Sequence, residues 1–109
     1  MKKNIHILLT LITINLSTST ASAHIPFESN WERVAKCESG NVWHLNTGNG
    51  FFGGLQFDRG TWSTYASMGK RSRLYPSAHL APRWIQIRVA ERLRKARGLR
   101  PWPVCGKLW

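Results

Sequence analysis

The sequence predicts a small α+β domain, mostly helical, with a minimal hairpin or loop wall and one disulfide. Three observations carry this. Apolar residues recur at helical spacing around Trp31–Glu38 and Ile85–Ala96, with a shorter run between them. The Asn/Gly-rich stretch from Asn41 to Gly54 has room only for turns or a short hairpin. Two cysteines, Cys37 and Cys105, stand at opposite ends of the part that folds.

Residues 1–23 read as a signal peptide. Lys2 and Lys3 open it, Ile5 to Leu16 is mostly apolar but short for a bilayer span, and "ASA" before His24 fits a cleavage site. The alternative is an uncleaved anchor. Positions 24–30 form a short N-terminal segment and 31–109 the domain, so removing the leader from 109 residues leaves 86. One core of that size is marginal and benefits from a staple. In an exported chain an even pair of cysteines reads as a disulfide, here closing a loop of about 68 residues. Chain entropy puts its contribution at roughly 4 kcal/mol. Free thiols or half a metal site are the other readings. No CxxC and few histidines argue against zinc, and no metal or cofactor is expected.

Ser29-Asn30-Trp31-Glu32 reads as a capping box, followed by Trp31, Val34, Ala35 and Glu38 on one helical face. Ser39-Gly40-Asn41 ends that helix. Asn-Thr-Gly-Asn-Gly invites a hairpin, and Gly53-Gly54-Leu55-Gln56-Phe57 returns the chain. A second helix should start near Asp58 to Thr61 and run through Trp62, Tyr65 and Ala66. Gly69 to Arg73 reads as a basic loop. Pro82 suits the first turn of a last helix, in which Ile85, Val89, Leu93 and Ala96 form a stripe flanked by Arg88, Arg92 and Lys95. Gly98 fits the position after its end. With Pro101 and Pro103, the tail from Arg100 to Trp109 should be extended.

Sixteen lysines and arginines, less Lys2 and Lys3, against five carboxylates leave +9 for residues 24–109, which also hold all six tryptophans. A basic, aromatic-rich exported domain points to an anionic or sugar-rich partner; nucleic acid would satisfy the charge equally. No phosphate-binding glycine loop is present.

The five carboxylates are Glu28, Glu32, Glu38, Asp58 and Glu91. Glu28 and Glu32 sit at a helix start, where acids serve the helix dipole. Glu91 lies among arginines and reads as a surface ion pair of small worth. Glu38 lies near a helix C-terminus on an apolar face, and both features raise a carboxyl pKa, as a general acid requires. The other reading is a helix-end glutamate that simply faces water. Asp58 reads first as a helix N-cap. His44 and His79 read as structural or exposed. Trp43, Phe51, Phe52 and Trp62 offer flat faces to sugar rings, although most tryptophans in so small a domain are core.

Taken together, "WERVAKCESGNVWHLNTGNGFFGGLQFDRGTW", "IQIRVAERL" and "PWPVCG" resemble the resuscitation-promoting factor family of actinobacteria over about Trp31 to Gly106. The resemblance implies a lysozyme-like catalytic domain acting on peptidoglycan, with Glu38 as catalytic glutamate and Cys37–Cys105 as the family's disulfide. It implies substrate contacts at Asp58, Thr61 and Gln56; Asn49, Trp43 and Phe52 are candidates beside them. It implies a secreted or wall-associated monomer whose partners are peptidoglycan strands and, as one candidate, a wall endopeptidase, with no nucleic acid and no stable membrane insertion. The chain departs from the family pattern in three places. Asn41 replaces the second glycine of Ser-Gly-Gly-Asn-Trp. Lys70, Arg71 and Arg73, with Arg88, Arg92, Arg94, Lys95 and Arg97, make the loop and last helix more basic.

The expected activity is cleavage of the MurNAc–GlcNAc β-1,4 bond, by lytic transglycosylation or by muramidase action, in wall remodelling and the resuscitation or growth of dormant cells. The alternatives are a non-catalytic peptidoglycan-binding or signalling module and, more weakly, a membrane-active cationic protein working through the last helix.

Overall fold

Three helices carry the core: α1 (Glu28–Ser39), α2 (Arg59–Ala66) and α3 (Arg83–Arg97). The structure is a computed structural model that describes residues 28–109. The segment read as a signal peptide lies outside the described residues, as do positions 24–27. Between α1 and α2, strands β1 (Phe51–Phe52) and β2 (Phe57–Asp58) pair antiparallel, Phe51 opposite Asp58 and Phe52 opposite Phe57. With Cys37 bonded to Cys105, this is the mostly helical, single-disulfide architecture expected of a lysozyme-like domain. No helix among the described residues is long and apolar enough to cross a membrane.

Trp31, Val34 and Ala35 of α1 are fully buried, as their spacing predicts. The expected capping box is not what holds this helix. Ser29 and Glu32 lie inside α1, and Glu28 and Glu32 both accept from the Arg83 guanidinium of α3. The helix ends through two left-handed residues, Gly40 (φ 66°) and Asn41 (φ 62°), and the Gly40 amide donates to the Lys36 carbonyl at 3.0 Å. The departure at position 41 thereby has a physical reason: asparagine is among the few residues with a side chain that enter this backbone region readily.

The Asn/Gly stretch forms a minimal hairpin, closed by a bridge between Asn46 and Phe52 and by the Gly53 amide donating to the Leu45 carbonyl at 2.9 Å. The β1–β2 turn then spans 53–56. Gly53 (φ 79°) faces Gln86 so closely that a Cβ would drive into the Gln86 side chain.

Gln86 is the buried polar residue that anchors this turn. Its Oε1 accepts from the Gly54 amide (2.9 Å), and its Nε2 donates to the carbonyls of Trp43 (2.7 Å) and Ala81 (2.9 Å). Gln86→Leu keeps the volume but strands one backbone donor and two acceptors. We expect it to cost about 2–4 kcal/mol, read as a lowered denaturant midpoint at unchanged m-value.

The stripe expected on α3 holds for Ile85, Val89 and Leu93 and gains Ile87 and Ala90; Ala96 is exposed. This apolar face is spent in the core, which leaves the helix little to offer a membrane. Glu91 is more than a surface ion pair. It accepts the Trp31 indole N–H at 2.6 Å and both donors of Arg94 at 3.0 Å, with its side chain only 15% exposed. Trp31 in turn meets Trp102 edge to face at 4.8 Å, and Trp102 donates to the Leu55 carbonyl at 2.8 Å. Through these contacts α3, α1, the tail and the hairpin turn share one set of packed rings.

The tail is not extended as expected. It turns at 99–104 and closes in a 3₁₀ turn (Cys105–Leu108), with the Trp102 amide donating to Leu99 and the Gly106 amide to Trp102, both at 2.9 Å. The prolines sit inside these turns, where their missing N–H groups remove nothing, and burial of Trp102 and Cys105 draws the chain back onto α1.

Candidate active site

The last turn of α1 carries Glu38 into a cleft of about 550 Å³. Asn49, Phe51 and Gln56 of the hairpin form one wall, and the tail from Pro101 to Cys105 forms the other. Glu38 follows Cys37, whose bond to Cys105 (Cα–Cα 5.6 Å) fixes the tail wall to the helix end bearing the acid. The carboxyl is part-buried, and burial raises its pKa above the ordinary glutamate value. Among the described residues no cation or hydrogen-bond donor offsets that shift.

Gln56 is held in the left-handed region (φ 52°), and its Nε2 donates to the Gly53 carbonyl at 2.9 Å. A non-glycine residue there costs about 1–2 kcal/mol, a strain set directly on the cleft wall. Asn49 braces the loop, its Oδ1 accepting from the Phe51 amide at 3.0 Å. Phe51 and Val104 are exposed at 47% and 72%, so the lips are apolar and open, the surface a sugar ring's C–H face needs.

Asp58 and Thr61 do not line this cleft. Asp58 caps α2, its Oδ1 accepting from the Thr61 amide and its Oδ2 from the Thr61 hydroxyl, both at 2.8 Å. The Thr61 amide is the main cause of a pKa below the ordinary aspartate value. A lowered folded-state pKa means that the stabilisation is present above the unfolded-state value and is lost as pH falls through the folded one. Asp58→Ala should therefore cost about 1 kcal/mol at neutral pH, with the difference from wild type vanishing in acid below that lowered pKa. Thermal melts across pH check this.

Trp43 and Phe52 are likewise not among the residues lining this cleft. The Trp43 ring packs on Gly54 with Arg83 5.9 Å above it, and Phe52 stacks on His79 at 5.4 Å. Trp62 is core, its indole donating to the Tyr75 carbonyl at 2.8 Å. Of the residues singled out in the sequence, the fold thus gathers Glu38, Gln56, Asn49 and the disulfide. It adds Phe51, which the sequence offered as a flat face, and Pro101, Trp102, Pro103 and Val104, which were taken only as tail. The signal for the tail was available: a bridge from Cys105 to the residue beside Glu38 forces its neighbours against the acid.

The site is thus a part-buried acid at a helix end, beside an open cleft in a small helical domain. The sequence matches the family described as Transglycosylase-like domain over residues 25–105. The chain belongs to the transglycosylase-like domain family and is similar over most of its length to several resuscitation-promoting factors. It is 47% identical over 96 residues to the resuscitation-promoting factor RpfC of Mycobacterium tuberculosis, covering 88% of this chain and 64% of that protein. It is 46% identical over 83 residues to RpfE of the same species, covering 76% and 44%, and 46% identical over 84 residues to Rpf1 of Corynebacterium glutamicum, covering 77% and 42%. The chain therefore spans between 42% and 64% of the length of these curated relatives.

Proposed function

We propose that this protein acts outside the cell as a monomer that cleaves the β-1,4 bond between N-acetylmuramic acid and N-acetylglucosamine in peptidoglycan, by lytic transglycosylation. The observation that carries the reading is the lone carboxyl of Glu38 among the residues lining the cleft, with its pKa raised by burial. A raised pKa keeps a carboxylic acid protonated nearer neutral pH, ready to give its proton to the leaving glycosidic oxygen.

A retaining or inverting glycosidase uses a second carboxylate as nucleophile or base. Asp58, the one other acid the sequence offered as a catalytic partner, is committed to its helix cap. The C6 hydroxyl of the muramic residue can take the nucleophile's place. As the C1–O4 bond breaks, O4 receives the Glu38 proton and leaves with the glucosamine end. O6 bonds to C1, and its proton passes to the Glu38 carboxylate, which is restored to its acid form. A 1,6-anhydro ring results and no water is consumed. The apolar lips formed by Phe51 and Val104 support the sugar faces, and Gln56 and Asn49 offer amides for the N-acetyl and hydroxyl groups.

The names of the relatives carry the wider role, the promotion of resuscitation, which we extend to this chain as the consequence of wall cleavage. The test is fragment release. Purified peptidoglycan should yield soluble muropeptides with the wild type and none with Glu38→Gln at matched folding. Retained wall binding with no release by the wild type would make the protein a binding module instead.

A further inference from the structure

The two basic departures from the family pattern, one in the loop after α2 and one in α3, meet in space. Lys70 and Arg71 from the loop and Arg88 and Arg92 from α3 line a second pocket of about 200 Å³ beside Trp84. It shares no lining residue with the cleft that holds Glu38. Arg71 and Arg88 come within 5.6 and 5.5 Å of the Trp84 ring centre, so two guanidinium groups from separate elements converge on one indole. Arg92 is tied down by the Tyr65 carbonyl (3.2 Å) and the Ser72 hydroxyl (2.9 Å). None of the described carboxylates lines the pocket, and neither Arg71 nor Arg88 forms an ion pair with one of them. Gathering like charges without a counter-charge opposes folding, and a bound anion reverses the sign of that effect.

We propose that this pocket is an anion site that anchors the protein to phosphate groups of a phosphodiester wall polymer, the wall setting resting on the function proposed above. The geometry favours phosphate over carboxylate. Donors come from two elements, the loop with Lys70 and Arg71 and α3 with Arg88 and Arg92, and a tetrahedral oxyanion presents its oxygens in several directions where a carboxylate presents two in a plane. It also disfavours single-stranded nucleic acid, because guanidinium groups occupy the indole on which a base would stack.

The experiment has two probes. Inorganic phosphate titrated into ¹⁵N-labelled protein should shift the Trp84 indole N–H signal, and Arg71→Gln/Arg88→Gln should abolish the shift. Cosedimentation then uses walls that keep their phosphodiester polymer and walls stripped of it by hydrofluoric acid. On intact walls that variant should bind about tenfold more weakly, while the charge-matched Arg97→Gln/Lys107→Gln should stay within about twofold of wild type. Wild-type binding should fall by a similar factor on stripped walls.

Equal losses in both variants would reduce the site to bulk charge and overturn the proposal. So would undiminished binding to stripped walls, which assigns the contact to stem-peptide carboxylates or glycan. Tighter binding to single-stranded DNA than to phosphate-bearing wall would overturn it in favour of nucleic acid. The catalytic reading is scored apart, by fragment release from stripped peptidoglycan, which Arg71→Gln/Arg88→Gln should retain.

Discussion

Glu38→Gln should lower the rate of muropeptide release by about 10²–10⁴-fold while the domain stays folded, since that is the range a positioned general acid supplies. The substitution keeps the side chain's size and removes only its proton chemistry. Glu38 is only part-buried and unpaired among the described residues, so little structure depends on its charge. A melting temperature equal to or above that of wild type, with activity lost, is the expected pattern. The pH profile adds a second check. The acid must be protonated in the free enzyme, so kcat/KM should fall as pH rises through the Glu38 pKa. Because burial raises that pKa, the fall should come at higher pH than for an ordinary glutamate, and Glu38→Gln should flatten this limb. A variant that keeps wild-type release would remove Glu38 from the mechanism.

Replacing both cysteines by serine should destabilise the domain by about 4 kcal/mol, because the bond closes a separation of 68 residues in a chain too small for a large core. At about 4–8 °C per kcal/mol for a domain of this length, the melting temperature should fall by roughly 15–30 °C. Reductant should do the same to the wild type. An equal melting temperature with and without reductant would mean that Trp31 and Trp102 hold the tail on α1 unaided. The loss should reach function as well. Below its own melting point the double-serine variant should show reduced kcat/KM, because Cys105 and the residues before it are a wall of the cleft that holds Glu38.

The parts of this fold legible in the sequence are those set by local rules. The α1 face of Trp31, Val34 and Ala35, the α2 start at Asp58 and the α3 end at Gly98 follow from spacing and cap chemistry, and all stand where those rules put them. Glu38 was legible because a helix end and an apolar face are both local properties. The features that escaped are pairings over long sequence separations. Nothing near Glu91 announces that it will accept from Trp31, 60 positions away, and nothing near Gln86 announces Gly54, 32 positions away. Glu28 and Glu32 looked like dipole partners because Arg83 is invisible at that range. The tail was misread for a different reason. Two prolines forbid regular helix, and the inference to extended chain overlooked that tight turns accept proline equally well. Trp43, Phe52 and Trp62 show the limit of composition: aromatic faces can be counted from sequence, but whether they meet sugar, an arginine or the core is decided by packing.

The central claim is that Glu38 works without a second carboxylate, through intramolecular attack by the C6 hydroxyl. Digestion of purified peptidoglycan in ¹⁸O-labelled water, followed by mass spectrometry of the soluble products, tests it most directly. The mechanism predicts muropeptides ending in 1,6-anhydromuramic acid, free of label when analysed immediately. Reducing muramic ends carrying one ¹⁸O, formed by the wild type and not by Glu38→Gln, would contradict it and make the enzyme a water-using muramidase.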